Sequence, residues 1–269
     1  MTEANGSEGT AVAGAGRALR FCMVTTFYPP YNFGGDGIFV QRLVHALAAR
    51  GHEVTVVHCA DAYRLGGGDE PLEPPAPPAG VTVHTLSSAT GMLSPLLTHQ
   101  FAVPGLKSRA LHEILDGTAF DVIHFHNISL VGGPAVLSYG DAVKLYTAHE
   151  YWLVCPLSTL WQMREAPCVN KRCVRCTIDA GRPPQWWRYT GNLERNLRHV
   201  DALLAPSEFA IAKHVEMGLT VPFTLLPNFL PGADSVEDAG ANVVTTPRER
   251  PFFLFAGRLE QTKGVQVLV

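Results

Sequence analysis

The stretch LRFCMVTTFYPPYNFGGDGIFVQRLVHALAARGHEVTVVHC, Leu19 to Cys59, decides the fold. Leu19 to Thr26 is a short, mostly apolar run, which predicts a buried strand, and a loop rich in glycine, proline and asparagine follows it. Val40, Leu43, Val44 and Leu47 then fall at i, i+3, i+4 and i+7, the spacing of a helix with one apolar face. Gly51 just beyond the last of them predicts a C-terminal cap, and Glu53 to Cys59 (EVTVVHC) reads as a second buried strand. Strand, helix and strand joined in this way form a β-α-β unit, whose natural consequence is a parallel sheet.

Working outward, further strands are expected at Val81 to Leu86, Asp121 to Phe125, Val143 to Thr147, Ala202 to Ala205 and Phe223 to Leu226, with helical segments between most of them. Gly66 to Gly80 interrupts the pattern as a Gly/Pro-rich loop. The expected fold is α/β, a doubly wound, mostly parallel, Rossmann-like sheet over residues 19–228 with a Cys-rich insertion at 151–182. Residues 229–250 read as an interdomain linker, and FFLFA (Phe252 to Ala256) as a fresh strand that opens a second domain over 251–269. Residues 1–18 lack the basic start and apolar centre of a signal peptide and read as a disordered leader.

The chain has 269 residues, 46% hydrophobic and 17% charged, with a net charge of −3, which argues against global disorder and against a polycation that coats nucleic acid. No apolar run reaches the roughly 18 residues that a membrane span needs. The expected compartment is therefore the cytoplasm, where the six cysteines are thiols or metal ligands rather than disulfides.

Gly34, Gly35 and Gly37 stand directly before the first helix, where small residues let backbone N–H groups approach a phosphate, although a merely tight turn explains them equally well. Neither a Walker pattern nor GxGxxG is present. An NAD-dependent oxidoreductase is disfavoured for that reason and because Val57, His58 and Cys59 end the second strand where an acidic residue belongs. Arg258 and Lys263, in GRLEQTKG, bracket a turn and suit the charge on a diphosphate. His124 and His126 alternate onto one face of their strand, and His149 lies at the end of the next.

Taken together, TTFYPPYNFGGDGIFVQRL (Thr25 to Leu43), RGHEVTVV (Arg50 to Val57), FDVIHFHN (Phe120 to Asn127), TAHEYW (Thr147 to Trp152), APSEF (Ala205 to Phe209), LLPNF (Leu225 to Phe229) and the GR-x4-K segment resemble glycosyltransferase family 4 of the GT-B fold. The resemblance implies transfer of a sugar from a nucleotide-diphosphate donor, with retention at the anomeric carbon, in a cleft between two Rossmann-like domains. It implies that Gly34 and Gly35 line the donor phosphates, that Arg258 and Lys263 neutralise the departing diphosphate, and that His149 faces the transferred sugar. His126 is a candidate acceptor-side contact. The acceptor is expected to be a glycolipid or polysaccharide precursor, with no nucleic-acid partner. The chain by itself is expected to be inactive, since most of the donor-side wall lies beyond Val269. The alternative is a non-catalytic nucleotide- or sugar-binding module.

Cys155, Cys168, Cys173 and Cys176 give C-x12-C-x4-C-x2-C, whose closing C-x2-C has the chelate spacing of tetrahedral thiolate zinc sites. Structural zinc is the leading reading, four incidental thiols in a flexible insertion come close behind it, and an iron–sulfur cluster, which uses the same ligands, is the third choice. No cofactor is expected for catalysis. Between residues 164 and 198 eight Lys/Arg face three acids, with Trp186, Trp187 and Tyr189 among them, a mixture suited to peripheral contact at the inner membrane face or to a lipid-linked acceptor. A solvated helix face with its aromatics packed inward explains that segment equally well.

Overall fold

The computed structural model describes residues 17–71, 76–163, 165–230, 253–257, 259 and 263–268. The apolar run at Arg20–Val24 forms β1, in which Cys22, Met23 and Val24 are fully buried. Side chains alternate across a strand, so Met23 faces one layer of the core and Cys22 and Val24 the other. The following loop leads into α1 (Gly35–Ala49), whose Val40 and Val44 pack in one cluster with Met23 and with Val54 and Val56 of β2 (Glu53–Cys59). Past the end of α1, Gly51 takes a φ of 83°, a left-handed conformation open to glycine at no steric cost.

The chain continues through α2 (Ala60–Leu65), β3 (Val81–Leu86), α3 (Leu93–Phe101), α4 (Ser108–Leu115), β4 (Val122–Phe125) and β5 (Val143–Thr147). A short ribbon of β6 (Trp161–Gln162) and β7 (Ala166–Pro167) follows, then α5 (Cys173–Asp179), α6 (Asn192–Leu197), β8 (Ala202–Ala205), α7 (Glu208–Glu216) and β9 (Phe223–Leu225). Seven strands form one sheet in the order β3-β2-β1-β4-β5-β8-β9, and every pairing in it is parallel. The α/β, Rossmann-like expectation is thus met. The sheet grows to one side of β1 through β2 and to the other through β4, so the loops leaving the carboxyl ends of β1 and β4 diverge and open a crevice between them.

Backbone bonds continue past the strand ends into those loops. Thr25 N–H donates to Val57 O (3.0 Å), His126 N–H to Val24 O (2.9 Å) and Ala148 N–H to Leu204 O (2.8 Å), while Thr26 N–H bonds Asn127 O. The residues just beyond β1, β4 and β5 are therefore held by the sheet itself.

One expectation needs correction. Phe253–Ala256, within the predicted strand at 252–256, adopts no strand; a strand's backbone donors and acceptors need a neighbour to pair with, and none pairs with them among the described residues. The predicted leader as far as residue 16, most of the linker (231–250), Phe252 and Arg258 lie outside the described residues. Among the described residues no helix is long and apolar enough to cross a membrane.

Met23 is fully buried on the central strand. Met23→Ala is expected to lower unfolding free energy by about 2–5 kcal/mol, read from denaturant melts, with little loss of helical circular dichroism at zero denaturant.

Candidate active site at the sheet switch point

The loop from β1 to α1 folds back on the first turn of the helix it precedes. Asn32 Nδ2 donates to Gly34 O at 2.7 Å, and a Cβ on Gly37 would overlap the Asn32 amide oxygen and lie 2.9 Å from the Phe27 carbonyl oxygen. Only glycine fits at 37. Gly34 is the N-cap of α1 and offers no side-chain acceptor to the first-turn N–H groups, while a Cβ on Gly35 would meet nothing within 4 Å. The positive end of the 15-residue helix is thus left uncapped beside open space.

That space is a cavity of about 670 Å³. Gly34, Gly35, Phe39 and Arg42 line it from the α1 side, and Phe229 and Lys263 line it from the later part of the chain. The structure therefore brings Gly34, Gly35 and Lys263 together, although more than two hundred residues separate them in sequence. His149 and His126 stand behind Phe39: the Phe39 ring meets His149 edge-on at a centroid separation of 5.1 Å and Phe229 at 5.7 Å.

The two histidines touch each other. His126 Nδ1 lies 3.0 Å from His149 Nε2, and on the far side His124 packs on His126 at 4.1 Å and bonds Thr147 Oγ1 through Nε2 at 2.8 Å. Parallel pairing of β4 with β5 makes this contact, placing the ends of the two strands side by side. His126 is buried, so the expected acceptor-side residue sits behind half-buried His149 rather than at the surface of the crevice.

Burial lowers His149 to about 4, against an opposing effect of Asp36, lowers His124 to about 3, and holds His126 well below the ordinary value. All three rings are neutral at pH 7, and each carries one N–H. His126 Nε2 is buried and has no partner among the described residues. An unpaired acceptor nitrogen is tolerated there better than an unpaired N–H, which assigns the proton of the shared bond to His126 Nδ1 as donor. His149 then accepts at Nε2 and carries its own proton on Nδ1, as a neutral hydrogen-bond donor.

Sequence reasoning missed Arg42, Asp36 and Glu150. Arg42 was readable: Gly35, Ile38, Phe39 and Arg42 repeat at i, i+3, i+4 and i+7, and all four line the cavity. Asp36 receives a hydrogen bond from Asn127 Nδ2 at 3.4 Å, linking the loops after β1 and β4. Burial pushes the Glu150 carboxyl up to about 7; a hydrogen bond from Ser158 opposes this, Asp36 adds to it, and Arg188 opposes it. Neither acid has a periodicity that marks it.

Residues 33–231 match the family described as Glycosyltransferase Family 4, a span of about three quarters of the chain that runs from the loop before α1 past β9. The chain belongs to glycosyltransferase family 4. No curated protein matches it. The family 4 span contains Gly34, Gly35, His126 and His149 as well as the four clustered cysteines, while Lys263 lies beyond it. Those cysteines line a separate small cavity. Of the aromatic group, Trp187 turns inward and donates from Nε1 to His99 O at 3.0 Å, while Trp186 and Tyr189 are exposed.

His58 and His99, each lowered by burial to about 4, join the three site histidines in resisting protonation. Because the folded pKa values lie below the ordinary 6.5, the unfolded chain binds more protons, and this stability is present above about 6.5 and lost as pH falls toward 4. Glu150, raised from 4.5 to about 7, acts in the opposite direction, its contribution falling as pH rises through that window. Five histidines outweigh one carboxyl, so Tm measured by calorimetry is expected to fall on the order of 10 °C between pH 7 and pH 5.

Proposed function

We propose that this family 4 glycosyltransferase transfers a sugar from a nucleotide-diphosphate donor to an acceptor at the crevice between β1 and β4, with retention of anomeric configuration. The observation that carries the reading is the meeting of an uncapped helix N-terminus at Gly34 and Gly35 with two cationic side chains, Arg42 and Lys263, around one cavity. Its volume lies within the range of small-molecule sites.

Breaking the bond between a sugar and a diphosphate leaves negative charge on the departing oxygens. Backbone N–H groups at the start of α1 and the charges of Arg42 and Lys263 meet that charge where it develops, and Arg258 adds to it in the same GR-x4-K segment. His149, neutral and oriented by His126, offers an N–H to an oxygen of the transferred sugar. Phe39, edge-on to both His149 and Phe229, shields the histidine side of the site from the open cavity, which strengthens the hydrogen bond that His149 offers. Retention of configuration is carried by the family resemblance. On this reading the donor-side half begins with residues 251–269, and a lipid-linked acceptor is supported by exposed Trp186 and Tyr189 in their basic segment.

Gly35 separates binding from folding, because its Cβ position is empty. In protein carrying the donor-side half, Gly35→Val is expected to leave Tm within about 2 °C while weakening nucleotide-sugar binding roughly tenfold or more, as the side chain fills the phosphate approach. Lys263→Ala is expected to lower kcat about a hundredfold. Unchanged donor affinity in Gly35→Val, measured by calorimetry, contradicts the placement of the phosphates; donor binding without product in any acceptor assay favours a binding module instead.

A further inference from the structure

Cys155, Cys168, Cys173 and Cys176 come from three pieces of chain: the turn after Trp152, the exit of β7 and the first turns of α5. All four line one cavity of about 20 Å³, together with Leu157, Trp161 and Arg172 among others. The other two cysteines, Cys22 and Cys59, are buried in the sheet core and take no part.

We propose that this cavity is a tetrathiolate zinc site that fastens the segment between β5 and α6 against the wall of the crevice. The volume is that of about one water-sized sphere, which suits a single ion rather than an iron cluster with bridging sulfides. No Asp, Glu or His lines the cavity, so the donor set is sulfur alone, and four sulfurs satisfy a tetrahedral ion with no position left for substrate. Met163 N–H already donates to Cys176 Sγ at 3.4 Å, the kind of backbone bond that holds a thiolate ligand in place.

Charge is the second, independent observation. Zinc binding by four thiols releases four protons and leaves a centre of net charge −2, which needs cations nearby. Arg172 lines the cavity itself, and the Nη2 nitrogen of Arg188 is buried with no hydrogen-bond partner among the described residues. Arg188 also stacks on Trp187 at 4.5 Å and on Trp152 at 5.2 Å. Among the described residues no three His, Cys, Asp or Glu groups stand at metal-ligand geometry, so zinc binding requires the four thiols to close on the ion. The two-residue ribbon, and Ser158, Leu160 and Met163 at φ of 66°, 50° and 47°, make this segment one whose shape local preference does not set.

The inference is independent of the sugar-transfer reading, because its test measures metal. Protein purified without chelator is expected to contain about one zinc and no iron per chain by plasma mass spectrometry. Cobalt exchanged for zinc is expected to give the strong visible absorption of a tetrahedral thiolate centre. Cys168→Ser and the pair Cys173→Ser with Cys176→Ser are expected to release zinc to a chromogenic chelator roughly ten- to a hundredfold more readily, while Cys168→His retains it. Iron with acid-labile sulfide, a disulfide among the four cysteines, or four reactive thiols without metal overturns the proposal. If the serine variants fail to fold, the metal content and cobalt spectrum of the unaltered protein decide it.

Discussion

Everything at the candidate site depends on β1 lying inside an all-parallel sheet with its neighbours on both sides pointing the same way. Parallel strands deliver every following loop to one edge, and the change of direction at β1 leaves a gap there that no crossover fills. The glycine-rich turn, the α1 N-terminus, His126 and His149 meet for that reason alone. Backbone bonds from Thr25, His126 and Ala148 into adjacent strands then hold the first residues of each loop.

The same constraint sets the electrostatics. Carrying three histidines into the end of a buried sheet takes them out of water, and desolvation keeps them uncharged. A row of neutral rings can relay orientation without adding positive charge, while the cations Arg42 and Lys263 lie across Phe39 in the open cavity. The site thus separates a buried, neutral wall from an open, positive one. Asp36 acts on the buried side: it opposes the lowering of His149 and adds to the raising of Glu150.

The central strands were legible because they are short, largely buried apolar runs, as at Phe21–Val24 and Val122–Phe125, and α1 because its apolar residues recur at helical spacing on the one face that packs on the sheet. Gly34 and Gly35 could be picked out because a helix start with no side-chain cap is a local feature. The contact of His126 with His149 spans 23 residues and arises from strand register, which a single sequence shows only once the sheet order is known. Glu150 was missed because its raised pKa comes from burial and from Asp36, more than a hundred residues away in sequence. FFLFA misled in the other direction: its composition is strand-like, but pairing requires a partner, and composition does not supply one.

The central claim is that the phosphates of a nucleotide sugar lie at the start of α1 beside Lys263. A crystal structure of the protein with a bound nucleoside diphosphate tests it most directly. Phosphate oxygens are expected within about 3 Å of backbone N–H groups at Gly34 and Gly35, with the Lys263 ammonium against the terminal phosphate and the pyrophosphate clear of the His126–His149 pair. A diphosphate bound away from the α1 N-terminus, or seated against the neutral histidines instead of the cations, contradicts it.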